Sequence, residues 1–300
     1  MANNLNNSIL YNVNSGVNRT STSSEYNFYY DGDFVLVQVN SSNTANAIGV
    51  MCDGAFLGYF PSDNGGYVYV TLLSGLNKYV RLIQTAVNHS TFTSSVYFKD
   101  VFTQASKFTR DLPATVSKRI GILSDSIGQG YSSTTLVTDG YGQKLRYNSA
   151  ENVTIMGWSG AGLYQFGANS TVLTKMDGYI TDCFSDTTTT KELIINLGTN
   201  DYGLFSTSAA AVQGYLEAMV DSINTLDSSI DVFVLSPFFR DGETSLLADY
   251  RTAFNAVCST RAWCTYIEGG TIIGTGDLAD GLHPTSAGHT KIYDVLKLIV

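Results

Sequence analysis

Between Phe34 and Phe102 the apolar residues come in short runs separated by turn formers: Phe34 to Val39, Ala47 to Met51, Ala55 to Phe60, Tyr67 to Leu73, Tyr79 to Thr85 and Val96 to Phe102. Runs of this length, rich in Val, Tyr and Phe and bounded by Gly, Asn, Asp and Ser, read as strands of an antiparallel sandwich. Asp53-Gly54 falls between two of them, and both residues tolerate the positive φ of a tight hairpin. Residues 1–25 are polar and read as irregular. After Phe108 the period changes. Five strand candidates (Arg119 to Leu123, Val153 to Met156, Glu192 to Leu197, Asp231 to Leu235, Trp263 to Ile267) now alternate with amphipathic segments, the signature of a parallel sheet covered by helices. Val212, Tyr215, Leu216, Met219, Val220 and Ile223 share one helical face behind the capping cluster Ser206-Thr207-Ser208. A second helix is predicted from Leu246 to Cys258 and a third from Thr285 to Ile299. The expected organisation is an N-terminal β-sandwich over 1–108, a linker over Thr109 to Lys118 marked by Pro113, and an α/β domain over 118–300.

The length of 300 residues suits two domains, and a hydrophobic content of 44% is ample for two cores. Charged residues make up only 14%, so the surface is largely neutral and polar, as suits extracellular or virion-borne proteins. A net charge of -9 lacks the basic footprint that nucleic acid or an anionic membrane needs, so neither is expected as a partner. The start, Met1-Ala2-Asn3-Asn4-Leu5-Asn6-Asn7, has neither the basic nor the apolar region of a secretory signal. No apolar run is long enough to span a bilayer. Cys52, Cys183, Cys258 and Cys264 show no metal-ligand spacing. Cys258 and Cys264 are near enough in sequence to bridge in an oxidising compartment, which spacing alone leaves open.

Ligands of an open parallel sheet collect beyond the carboxyl ends of its strands. The segments expected there are Ser124-Asp125-Ser126-Ile127-Gly128, Gly157-Trp158-Ser159-Gly160, Gly198-Thr199-Asn200-Asp201 and Asp280-Gly281-Leu282-His283-Pro284. The last is the most telling, because the chain has only three histidines. A carboxylate three residues before a histidine can hold the ring in one tautomer and stabilise the imidazolium formed when it takes a proton from a nucleophile. The plainer reading is a buried Asp-His bond near a helix start, with Pro284 as the first helical residue.

In the identity and order of these four blocks, the last 180 or so residues resemble the SGNH (GDSL-type) hydrolases. The resemblance implies a flavodoxin-like three-layer α/β/α domain with Ser126 as nucleophile, His283 as base and Asp280 as its orienting acid. It implies oxyanion donors at Ser126, Gly160 and Asn200, where a single donor can contribute roughly 3 kcal/mol. Two positions depart from the family: Ser124 stands for the glycine of Gly-Asp-Ser, with a tightened or tilted turn as the expected consequence, and Ile155 stands where many members have Asn. Asp125 and Asp201 are expected to hold the loops together. Gly157-Trp158-Ser159-Gly160-Ala161 approximates the nucleophile elbow of α/β-hydrolases, but a nucleophilic Ser159 would leave Ser126 and Asn200 idle. His289 reads as packing or capping and His89 as a surface residue. No histidine spacing suits a metal, so neither metal nor cofactor is expected.

The front half is similar in pattern to the jelly-roll domain attached to carbohydrate esterases of the SGNH group, through Asp53-Gly54, the turn Leu73-Ser74-Gly75-Leu76 and the strand Tyr79-Val80-Arg81-Leu82. That similarity implies an acylated glycan as substrate, most simply an O-acetyl ester. Trp158 would then stack on a sugar or sit in the core. A short-chain carboxylesterase or lipase on small esters uses the same machinery, although polar, small loops are expected here rather than an apolar cleft. A glycan-binding adhesin or virion component with little turnover is the reading from another class.

Overall fold

The computed structural model describes residues 8–11, 25–39, 48–75, 78–84, 98–104, 108–111, 118–133, 139–148, 152–157, 159–164, 176–178, 180–181, 183–184 and 190–300. The chain divides into two compact units, Met1–Ala114 and Thr115–Val300. In the first, strands β1 (Ser8–Tyr11), β3 (Phe34–Val39), β6 (Tyr67–Thr71) and β8 (Phe98–Gln104) form one antiparallel sheet in the order β1-β8-β3-β6. A second follows the order β5-β4-β7-β2-β9, with β2 Glu25–Tyr30, β4 Ile48–Cys52, β5 Ala55–Phe60, β7 Lys78–Gln84 and β9 Phe108–Asp111. Apart from β9, this is the order of a jelly-roll-like sandwich. Val35, Val37 and Val39 alternate inward from β3, Val68 and Val70 from β6, and they meet Ile48, Val50, Val80 and Leu82 of the other sheet in one core.

Asp53 and Gly54 both take positive φ, 50° and 79°, and close the two-residue hairpin between β4 and β5. Two expectations are corrected. Residues 8–11, read as irregular, form β1 against β8, and the stretch read as the beginning of a linker forms β9 against β2. Both strands are short, and each is specified by a partner far away in the chain rather than by its own pattern.

The second unit is built on five parallel strands, β10 (Lys118–Ser124), β11 (Asn152–Gly157), β12 (Thr190–Asn196), β13 (Ile230–Leu235) and β14 (Cys264–Ile267), in the order β11-β10-β12-β13-β14. In strand sequence this is 2-1-3-4-5, the flavodoxin-like order. Helices α1 (Tyr141–Asn148) and α5 (Ser286–Leu296) cover one face, where Tyr141, Leu145, Ile292 and Leu296 pack on Ile120, Ile122, Ile155 and Ile194. Helices α3 (Ala209–Leu226) and α4 (Ser245–Ser259) pair on the other, burying Leu216, Met219 and Val220 together with Tyr250, Phe254 and Val257. A short helix α2 (Thr199–Gly203) follows β12. Ser208 caps α3 by accepting the Ala211 N–H at 3.3 Å. Thr285 caps α5, so Pro284 lies outside the helix and bridges to Leu278 instead. The Cys258 and Cys264 thiols are buried, free and 3.0 Å apart. No helix among the described residues is long and apolar enough to cross a membrane.

The first strand order reverses beside β10, and β10 ends in the buried Ser124. Its hydroxyl donates to the Asn196 carbonyl at 3.0 Å across the β10/β12 pair, and Tyr141 Oη donates to Asn196 Oδ1 at 3.1 Å. The extra side chain fits because residue 128 has none: a Cβ on Gly128 would lie 2.3 Å from both Ser124 Cβ and Oγ. The departure at 124 is therefore absorbed by Gly128. Gly128→Ala is expected to cost about 1–3 kcal/mol through overpacking, and adding Ser124→Gly should recover most of it. Chemical denaturation of the two single variants and the double variant measures that coupling; an equal loss with Gly at 124 would contradict the packing account.

Candidate active site

Ser126 lies in the turn just after β10 and His283 in the loop before α5, 157 residues on, yet Ser126 Oγ and His283 Nε2 are 3.0 Å apart. On the other side of the ring His283 Nδ1 is 2.8 Å from Asp280 Oδ2. Local backbone geometry makes the pairing possible. Asp280 Oδ1 accepts the N–H groups of Leu282 at 3.1 Å and His283 at 2.8 Å, an Asx turn that passes through Gly281 at φ 79°. The other carboxylate oxygen is left for the ring. Burial pushes the Asp280 carboxyl up, but the His283 backbone and ring N–H and the Leu282 N–H together hold it below the usual carboxylate range. An ionised Asp280 accepting from Nδ1–H leaves Nε2 as the acceptor that faces Ser126. Ser126 itself is 8% exposed.

Two buried carboxylates fix the surrounding loops. Asp125 accepts the Ile127 N–H at 2.8 Å and the Asn200 side-chain amide at 3.1 Å. Its carboxyl is pushed up to about 7 by burial and by the charge of Asp201, against the Ile127 hydrogen bond. Asp201, in α2, accepts the N–H groups of Leu163 and Tyr164 at 2.7 Å each and so clasps the loop after β11. Burial raises its carboxyl, and those two N–H groups oppose the rise. Gly160 turns in that loop at φ 76°, which a side chain would disfavour. The N–H groups of Ser126 and Gly160 have no hydrogen-bond partner among the described residues. Asn200 is held differently: its amide donates to Asp125 Oδ2 and, at 2.8 Å, to the Ala161 carbonyl, so both of its N–H bonds have protein acceptors.

The competing serine is placed elsewhere. Ser159 is buried and donates to Gln129 Oε1 at 2.7 Å, and Gln129 Nε2 donates to the Gly157 carbonyl at 2.6 Å. Trp158 lies outside the described residues, as does His89. His289 is buried in α5 between the Tyr131 carbonyl and the Tyr141 N–H, each 3.4 Å from a ring nitrogen. Among the described residues no group of three or more His, Cys, Asp or Glu could hold a metal ion.

Sequence reasoning missed several groups around the site. Tyr131 is 45% exposed and lays its ring against His283, centroids 4.5 Å apart. Leu204 is 65% exposed, with its Cδ1 3.8 Å from where a Gly160 Cβ would be, and Tyr164 is 41% exposed with its ring tilted against Phe205, centroids 5.5 Å apart. The loops are thus less uniformly polar than their composition implied. These residues belong to no spaced motif, and only the folded loops bring them to the site.

The sheet has the flavodoxin-like order of a three-layer α/β fold, and a serine, a histidine and an aspartate meet in series in the loops around it. The model of the GDSL-like lipase/acylhydrolase family matches residues 125–291, more than half of the chain, and the chain belongs to that family. No curated protein matches it. Among solved structures it is similar to a family two carbohydrate esterase from Clostridium thermocellum in complex with cellohexaose, at 18% identity and a TM-score of 0.69, covering 93% of this chain and 91% of that one. A family 2 carbohydrate esterase with a carbohydrate-binding domain from Corynascus thermopiles (Myceliophthora fergusii) is similar at 19% identity and a TM-score of 0.71, covering 96% and 97%. An acetyl xylan esterase from Butyrivibrio proteoclasticus is similar at 11% identity and a TM-score of 0.69, covering 92% and 90%. At these identities the likeness is one of fold.

Burial holds the His289 imidazole down at about 4, well below its ordinary value. Between about pH 6.5 and 4 the unfolded chain therefore binds a proton that the folded one refuses, and acid favours unfolding. The unfolding free energy of the wild type minus that of His289→Gln is expected to fall across this window by on the order of 3 kcal/mol. The Asp125 contribution, which runs the other way, cancels in the difference. Denaturation at stepped pH values checks this; a difference independent of pH would show that the imidazole titrates normally.

Proposed function

We propose that this protein is a serine esterase that removes O-acetyl groups from a carbohydrate through an acetyl-Ser126 intermediate. The observation that carries the reading is the unbroken series Ser126 Oγ, His283 Nε2, His283 Nδ1, Asp280 Oδ2, with contacts of 3.0 and 2.8 Å. Ser126 Oγ attacks the ester carbonyl carbon and its proton passes to His283 Nε2, while Asp280 stabilises the imidazolium. The negative oxygen of the tetrahedral intermediate is met by the N–H groups of Ser126 and Gly160. Asn200 joins them when its bond to the Ala161 carbonyl is exchanged for the oxyanion. Collapse breaks the bond to the sugar oxygen, which takes the proton from His283, and leaves the acetyl ester on Ser126. Water then attacks that ester, giving its proton to His283, and acetate leaves as Ser126 recovers its hydrogen.

Membership of an acylhydrolase family supports ester hydrolysis, and the carbohydrate-esterase fold of the similar structures supports a glycan as the alcohol. A polar, lightly charged surface fits an extracellular or virion-associated setting. One observation favours a second reading, a short-chain carboxylesterase acting on small esters: the exposed Leu204 beside Gly160 offers an apolar contact to an acyl group.

Hydrolysis of 4-nitrophenyl acetate and acetate release from acetylated polysaccharides, measured side by side, test the proposal. Ser126→Ala and His283→Ala should each lower turnover by about four orders of magnitude or more with the fold intact, and Ser159→Ala should do far less. Acetate release from a glycan that disappears in Ser126→Ala supports the main reading, and turnover of the small ester alone supports the second. Turnover of neither by folded wild-type protein would refute both.

A further inference from the structure

We propose that Arg240 is an anion-recognition site at the rim of the active site, and that it selects an acetylated glycan carrying carboxylate groups, as a uronic acid unit does. The inference rests on the esterase reading and adds the charge of the substrate to it.

Arg240 lies in the loop after β13 and is half-buried. Its guanidinium carbon sits 5.1 Å from the ring centroid of Tyr202, two residues past Asn200 in α2. The neighbouring Asp241 N–H donates to the Gly281 carbonyl at 2.8 Å, inside the Asp280–His283 turn. Arg240 thereby lies between helix α2, which bears Asn200, and the loop bearing His283. Space for it is provided by Gly203, where a Cβ would come within 2.6 Å of an Arg240 terminal nitrogen.

Among the described residues the guanidinium has no acceptor. Its Nε is buried with no hydrogen-bond partner, and none of its N–H groups has one among the described residues. Two nearby carboxylates are engaged elsewhere: Glu243 is gripped through both oxygens by Arg251 at 3.0 Å, and Asp201 by two backbone N–H groups. The third, Asp241, is exposed and forms no ion pair with the guanidinium among the described residues. Arg251 and Arg261 each hold a carboxylate, Glu243 and Asp221 respectively. Leaving donors of this kind unmatched is unfavourable, and a planar fork of five N–H groups, held over the Tyr202 ring, matches the two oxygens of a carboxylate. In a chain of net charge -9 an anionic polymer is repelled overall, which makes one oriented cation at the site a strong determinant of which polymer is retained.

The test compares kcat/KM on an O-acetylated glucuronoxylan, an O-acetylated neutral mannan and 4-nitrophenyl acetate for wild type, Arg240→Met, Arg240→Lys and Gly203→Ala, with thermal unfolding as the control for fold. Arg240→Met is expected to lower kcat/KM on the acidic glycan about tenfold or more, mainly through KM, and to leave the neutral glycan and the small ester unchanged. Arg240→Lys should restore the preference only in part, because an ammonium cannot supply the fork, and Gly203→Ala should mimic Arg240→Met by displacing the guanidinium. Equal effects of Arg240→Met on acidic and neutral glycans would overturn the proposal while leaving the esterase reading standing. Should the wild type turn over no ester, the esterase reading fails, and calorimetric titration of trigalacturonate into wild type and Arg240→Met decides the binding claim alone. Tighter binding to the wild type supports it and indistinguishable binding overturns it. Inorganic phosphate that competes as well as galacturonate would overturn the assignment to a carboxylate.

Discussion

Everything at this site depends on two carboxylates buried where water cannot reach them. Asp125 joins the Ser126 turn to the Asn200 amide, and Asp201 takes two consecutive backbone N–H groups of the loop that carries Gly160. Desolvating two carboxylates is costly, and burial drives both groups upward. Hydrogen bonds offset that cost by connecting three loops that share no secondary structure. The Ser126 turn, the Gly160 loop and Asn200 are therefore tied together by hydrogen bonds, and His283 is presented by a separate Asx turn. Precision of this kind is what proximity and preorganised electrostatics require.

Much of the second unit was legible in the sequence because its signals are local and repeated. Strand runs alternating with helical periodicity set the parallel sheet, Ser208 and the apolar face from Val212 to Ile223 set α3, and Asp53-Gly54 set the hairpin. Strands β1 and β9 were not legible. Each is four residues long and owes its conformation to a distant partner, β8 or β2, that no local pattern reveals. The last helix, expected from Thr285, starts one residue later at Ser286 because the Thr285 hydroxyl meets the Gly288 N–H as its cap, and Pro284, which suits a first helical position, lies outside it.

At the site, the blocks carrying Ser126, Gly160 and Asn200 could be picked out because each follows a strand, and the Asp280–His283 block because it pairs a carboxylate with one of only three histidines. What spacing could not say was how each donor is oriented. Asn200 faces Asp125 and Ala161, Ser159 faces Gln129, and Ser124 fits only because of a glycine four residues later. The aromatic and charged surroundings (Tyr131 on His283, Arg240 on Tyr202) were invisible for the same reason. They arise where segments distant in sequence come together.

The central claim is that Ser126 is the activated hydroxyl. Reaction of the folded protein with a fluorophosphonate, followed by peptide mass mapping, examines it most directly, since covalent capture requires a serine activated by its base. The account predicts one adduct, on Ser126, formed by wild type and abolished in His283→Ala. An adduct on Ser159, or labelling of Ser126 that persists without His283, would contradict it.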